Sequence, residues 1–145
     1  MKNLVVQILL ATILSFISFA DLVIPENVAN TFRQKYPNAP EPTWEIDTNG
    51  SYEANYRIDG AKYRADFTKE GIWTETENNI DFNELPPDVR SEYLLKYSIE
   101  DFRDAEAVDS ATQGIFYEIE IVRGTSKLDV TLEEKGQMIT TGDPT

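Results

Sequence analysis

Gly50-Ser-Tyr-Glu-Ala-Asn-Tyr-Arg-Ile-Asp-Gly60-Ala-Lys-Tyr-Arg-Ala-Asp-Phe-Thr-Lys-Glu-Gly71-Ile-Trp73 is the stretch that decides the fold. Tyr52, Ala54, Tyr56 and Ile58 share one parity, and Glu53, Asn55 and Arg57 share the other. After Asp59-Gly60 the alternation resumes, with Tyr63, Ala65 and Phe67 against Lys62, Arg64 and Asp66. Period-two alternation interrupted by Asp-Gly and then Glu-Gly predicts a hairpin followed by a further strand. The spacing places strands over 52–58, 62–68 and 72–76, with a short first strand over 43–47 closed by Asn49-Gly50. Tyr52, Tyr56, Tyr63 and Phe67 are assigned to the interior between sheet and helix.

Upstream, Pro25 and Glu26 suit a helix start, and Val28, Phe32 and Tyr36 form one stripe before Pro37 ends the helix. The order then recurs. Pro86, Val89, Tyr93 and Tyr97 answer Pro25, Val28, Phe32 and Tyr36 at a constant offset of 61 residues. Gly114, Gly124 and Gly136 answer Gly50, Gly60 and Gly71 at an offset of 64 or 65. Self-similarity at a fixed period points to a duplicated unit. In the second copy Tyr117, Ile119 and Ile121, then Leu128, Val130 and Leu132, form the inward set. The polar segment 77–84 is read as the joint between the halves.

These elements predict an α+β fold. It has two repeats of one helix plus a four-stranded antiparallel sheet, with helices on one side and the other sheet face open. The divisions are a signal peptide at 1–20, repeat 1 at 21–80 and repeat 2 at 81–145. Lys2, the apolar run from Leu4 to Ile17 and the small residues Ser18 and Ala20 motivate the first of these. Export follows, to the periplasm or the medium, with no stable membrane insertion after cleavage.

Lys2 leaves with the leader, so 12 basic residues face 26 acidic ones and the remaining charge is −14. Such a surface repels phosphate backbones and disfavours nucleic acid, while it favours cationic partners. The sequence has no cysteine and no histidine, which removes disulfides, thiolate nucleophiles and the commonest general base and metal ligand. A carboxylate pair such as Glu75 and Glu77 is the remaining catalytic option, but among so many acids neighbouring carboxylates arise by chance. No enzyme activity, cofactor or metal is expected. Asp47-Thr48-Asn49-Gly50 reads as a turn, and the acidic patch Glu75, Glu77, Asp81 and Glu84 as a solvated linker.

The series Ile24-Pro25, Val28, Phe32, Tyr36-Pro37, Trp44-Glu45, Gly50, Tyr52-Glu53-Ala54, Gly60, Ala65, Phe67, Gly71 and Trp73 resembles the PepSY-like, beta-lactamase-inhibitor-like proteins of Bacteroidetes-type bacteria. Leu85-Pro86, Val89, Tyr97, Ala105, Tyr117-Glu118-Ile119 and Gly136 resemble the second half of the same family. The resemblance implies an exported tandem repeat whose fold is similar to an inhibitor that docks an enzyme through its sheet. The second copy departs from the pattern, with Glu106 or Ala107 where Trp44 stands and Gln137-Met138 where Ile72-Trp73 stands.

The functional expectation is a non-enzymatic binding module that engages a protein or peptide through the open sheet face. The alternatives are an inhibitor of a periplasmic protease or other hydrolase, and a small-ligand or cation-binding sensor. Candidate partner-binding residues are Glu53, Arg57, Arg64, Trp73 and Glu75, with Glu118 and Glu120 as second-copy counterparts. Trp73 shares the parity of Glu75 and Glu77, so it either projects from the open face as an anchor or covers one end of the core.

Overall fold

The computed structural model describes residues 22–141, with side chains through residue 139. The expected signal peptide at 1–20 and the tail at 142–145 lie outside the described residues. Helix α1 spans Glu26–Lys35, followed by strands β1 (Thr43–Ile46), β2 (Tyr52–Ile58), β3 (Ala61–Phe67) and β4 (Trp73–Asn79). Helix α2 spans Pro87–Lys96, followed by β5 (Phe102–Ser110), β6 (Gly114–Arg123), β7 (Ser126–Glu133) and β8 (Met138–Thr141). The eight strands form one antiparallel sheet in chain order, so every connection within it is local except the one carrying α2.

Each helix has ten residues, too short to persist alone in water. Acidic residues in the first turn and basic residues in the last suit the helix dipole in both. Packing supplies the rest. Val28 and Phe32 of α1 are buried against Ala54, Tyr56, Ala65 and Phe67. Ala54 and Ala65 face each other across β2 and β3, and their small side chains let the helix approach the sheet. Phe32 then meets Trp44, Tyr56 and Phe67 edge-on at centroid distances of 5.6, 5.2 and 6.3 Å. Burying a ring such as Phe67 is worth about 2–3 kcal/mol.

In the second cluster Leu85, Val89 and Tyr93 pack on Ala105, Ile119, Ile121, Val130 and Leu132. Both helices lie on the same side of the sheet. Thr76, which meets Tyr36 at the end of α1, pairs with Asp109, and two residues on Asn78 pairs with Ala107, which packs under α2.

Three sequence expectations are corrected. Strand β4 extends to Asn79, so Glu77 belongs to the strand that joins the two halves of the sheet and not to a linker. Its run of polar residues hid a strand that is held by pairing on both edges. The pairing also puts Ala105 opposite Ile119, as Trp44 is opposite Ala54, so Ala105 takes the place that Glu106 or Ala107 was expected to fill.

The third correction is Trp73. A bulge in the β3–β4 pairing sets Trp73 opposite Phe67 but Glu75 opposite Asp66, leaving Thr74 as the extra residue. Parity inverts across it. Trp73 therefore turns to the helix side, where its Nε1 donates to Thr76 Oγ1 at 2.9 Å and the Lys35 ammonium lies 3.4 Å from the centre of one ring. It covers the end of the first core and does not share a face with Glu75.

Candidate functional site

The face opposite the helices is built from the alternate strand positions. Across β2, β3 and β4 the register lines up Glu53 with Asp66 and Glu75, and Asn55 with Arg64 and Glu77. Of the sequence candidates, Glu53, Arg64 and Glu75 therefore come together here. Arg57 lies on the same face at the hairpin end, exposed, and donates to the Gly60 carbonyl at 2.8 Å. Trp73 is absent from this face for the reason given above.

Arg64 is the hub. Its Nε lies 3.7 Å from Glu53 Oε2 and 3.9 Å from Asp66 Oδ2, and its Nη2 pairs with Glu77 Oε2. The first two separations are ion-pair distances without a hydrogen bond, and Arg64 Nε has no hydrogen-bond partner among the described residues. One guanidinium thus serves three carboxylates. Asn55 helps by donating to Glu53 Oε1 at 2.7 Å.

Glu77 was missed as a site residue because its segment read as linker. It is only 7% exposed, unusual for a carboxylate. Burial raises its pKa to about 7, because Arg64 only partly offsets the loss of water and Glu106 adds repulsion. Burial likewise lifts Asp66 to about 6, against the pull of Arg64. Carboxylate oxygens of Asp66, Glu75 and Glu77 lie within 4.8 Å of one another. Three such groups have the oxygen chemistry of a hard-cation site, but Arg64 already stands among them with a positive charge. The sequence patch Glu75, Glu77, Asp81 and Glu84 is split by the fold. Asp81 and Glu84 form a capping box on the 3-10 turn at Phe82–Glu84, away from the strand pair.

These raised values fix a pH dependence. A carboxyl whose folded pKa exceeds its unfolded one binds more protons when folded, so its contribution to stability falls as pH rises. The unfolding midpoint in urea is expected to drop between about pH 5 and about pH 8, through the Asp66 and Glu77 ionisations near 6 and 7. The amplitude expected is about 2 kcal/mol. Glu77→Gln should flatten about half of this limb and leave the Asp66 step, and an equally steep limb in that variant would contradict the assignment.

The second half of the same face differs in composition. Glu106 stands opposite Glu118, and Asp104 stands opposite Glu120, which in turn faces Asp129. Together with Lys127 and Thr131 they line an open hollow of about 300 Å³. Lys127 Nζ pairs with Glu120 Oε2 at 2.6 Å. The carboxyl of Glu118 is pushed up by burial and by the negative charges of Glu106, Glu75 and Asp129. Glu118 and Glu120 were expected on this face, whereas Glu106, Asp104 and Asp129 were not. Their alignment depends on register between strands and has no local signal in sequence. Val108 and Phe116, paired across β5 and β6 on this face, are buried at 1% and 5% exposure outside both helix-side clusters.

The family described as "Putative beta-lactamase-inhibitor-like, PepSY-like" matches residues 15–59 and 50–140. No curated protein matches the chain. Among solved structures, a DUF2874 family protein from Bacteroides ovatus is 22% identical, with a TM-score of 0.78 over 85% of this chain and 89% of that one. A BLIP-like protein from Bacteroides fragilis is also 22% identical, with a TM-score of 0.75 over 86% and 89%. A protein from Bacteroides eggerthii described as periplasmic is 18% identical, with a TM-score of 0.76 over 85% and 90%. At these identities the likeness is one of fold.

Proposed function

The chain belongs to the PepSY-like, beta-lactamase-inhibitor-like family, and from that premise we propose that it is a non-enzymatic binding module that engages a protein or peptide through the open face of its sheet. The observation that carries this reading is the one-sided cover: both helices pack on one face, and the other presents Glu53, Arg64, Asp66, Glu75 and Glu77 in register. A face that neither helix covers, organised around an ion-paired hub, is a surface suited to specific docking. Arg57 extends it at the hairpin end. The notion of an inhibitor draws on the likeness to a BLIP-like protein, and direct inhibition of a periplasmic hydrolase is one form such docking takes. The cation-sensor alternative is disfavoured at Asp66, Glu75 and Glu77 by the guanidinium already among them.

We further read the chain as a duplicated unit with divisions at 21–80 and 81–145, behind a leader at 1–20, exported to the periplasm or the medium. Two structural parallels support the duplication. Gly71 abuts the backbone of Asn27 in α1, and Gly136 abuts the backbone of Asp88 in α2. The turns before them match as well, with Gly71 N–H donating to Thr68 and Gly136 N–H to Glu133. Export is supported by the leader-like sequence and by the fold it shares with a protein described as periplasmic.

The docking reading is tested by affinity capture from a periplasmic extract with two charge-reversed baits. Glu53→Lys with Glu118→Lys on the open face should lose the captured partner, while Arg33→Glu with Lys96→Glu on the helices should retain it. Loss only with the helix variant would move the binding surface to the other side.

A further inference from the structure

The two halves of the open face carry different electrostatic designs. Around Arg64 one central guanidinium is drawn to Glu53, Asp66 and Glu77 and offsets part of their charge. Around β5, β6 and β7 the described residues lining the hollow include no guanidinium. Glu106 faces Glu118, and Asp104, Glu120 and Asp129 run side by side across three strands. Like charges placed directly opposite one another weaken a sheet, and ordinary sheets pair unlike charges there. Lys127 is the one basic side chain among the residues lining this hollow, and it is committed to Glu120. Five carboxylates thus stand against a single ammonium on a surface that the protein's own helices leave uncovered.

We propose that the β5–β7 half of the open face is the docking surface for a cationic protein segment, one that offers several lysine or arginine side chains to the hollow bounded by Asp104, Glu106, Glu118, Glu120 and Asp129. The proposal deepens the open-face reading and rests on it. Complementary charge is the main argument, since the missing positive charges must come from the partner. Spacing is the second. Neighbouring strands lie about 4.8 Å apart, so the carboxylates spread over about 10 Å across β5, β6 and β7. A single calcium ion gathers its ligands within about 2.6 Å and cannot neutralise such a spread. A second copy of this acidic chain supplies no complement either, because both surfaces would carry the same sign. The array continues toward Glu75 on β4, whose charge Glu118 also feels. A basic segment lying across the strands would therefore meet carboxylates along its length.

The test uses the purified protein and a labelled decalysine peptide, with decaglutamate and calcium chloride as the competing probes. Fluorescence anisotropy gives affinity, and amide chemical shifts give the location. Decalysine is expected to shift amides of β5, β6 and β7 and to bind more weakly as salt rises. Replacing Glu106, Glu118 and Glu120 together by Gln should weaken it about tenfold or more, whereas the charge-matched replacement of Glu26, Glu70 and Glu100 by Gln should weaken it less than about twofold. The Gln variants remove repulsion, so the first set should melt no lower than the parent. Equal losses from the two sets would overturn the proposal in favour of net charge alone. Calcium that saturates the hollow without displacement by decalysine would overturn it in favour of a divalent-cation site. If decaglutamate binds the open strands instead, the cationic partner falls while the open-face reading stands. Shifts confined to α1 and α2 would bring down the open-face reading itself.

Discussion

Arg64→Met is expected to lower the free energy of unfolding by about 2 kcal/mol at about pH 8. The long apolar stem still packs, but the charge shared by Glu53, Asp66 and Glu77 disappears. Removing one partner of a fully buried pair typically costs about 3–5 kcal/mol. Here the Glu77 side chain is 9% exposed but the Arg64 side chain is 40% exposed, so water recovers part of the loss. The deficit should shrink toward about pH 5, where Asp66 and Glu77 take up protons that the folded state already favours. Urea unfolding at both pH values measures it. If the variant matched the parent at the higher pH, the guanidinium would not be the hub of this face.

Gly136→Ala should cost about 3 kcal/mol, against about 1 kcal/mol for Gly60→Ala. Both glycines have positive φ, 79° and 89°, so each substitution forces a side chain into a disfavoured backbone region. Only one of them is also crowded. A Cβ on Gly136 would stand 2.7 Å from the Asp88 carbonyl oxygen and 3.0 Å from its carbon, both rigid helix backbone. A Cβ on Gly60 meets none of the described residues within 4 Å. The excess is the energy of pushing α2 away from the sheet, and it should appear as loss of the second core in thermal melts. Equal costs at the two positions would mean that the helix yields freely. A Cβ on Gly71 would stand 3.0 Å from the backbone carbonyl carbon of Asn27 in α1, so Gly71 should behave like Gly136.

The contrast between Trp73 and Tyr52 shows what a sequence reveals. Tyr52 keeps its parity with Ala54 and Tyr56 because β2 pairs with β3 without interruption. Trp73 belongs to a strand whose bulge at Thr74 inverts the parity, and the residues after it, Thr-Glu-Thr-Glu-Asn-Asn, have no apolar marker to report the slip. Glu77 was hidden for a related reason. A polar strand buried by neighbours on both sides looks like a linker when only its own residues are read. The acidic hollow was half legible. Glu118 and Glu120 fall on the outward parity of a strongly alternating strand, but Asp104, Glu106 and Asp129 join them only through register.

By itself the sequence determined the order of elements, the helix stripes, the inward parity of β2, β3, β6 and β7, and the acidic balance, since each is written in spacings of two to four residues or in composition. The tertiary structure alone decided that β4 joins β5, that Trp73 turns to the helices, that one arginine serves three carboxylates and that five others share a single ammonium. Those outcomes depend on which residues of distant strands stand opposite one another. Pairing register is set by the packing of two whole cores against one sheet, and no local stretch of chain carries it.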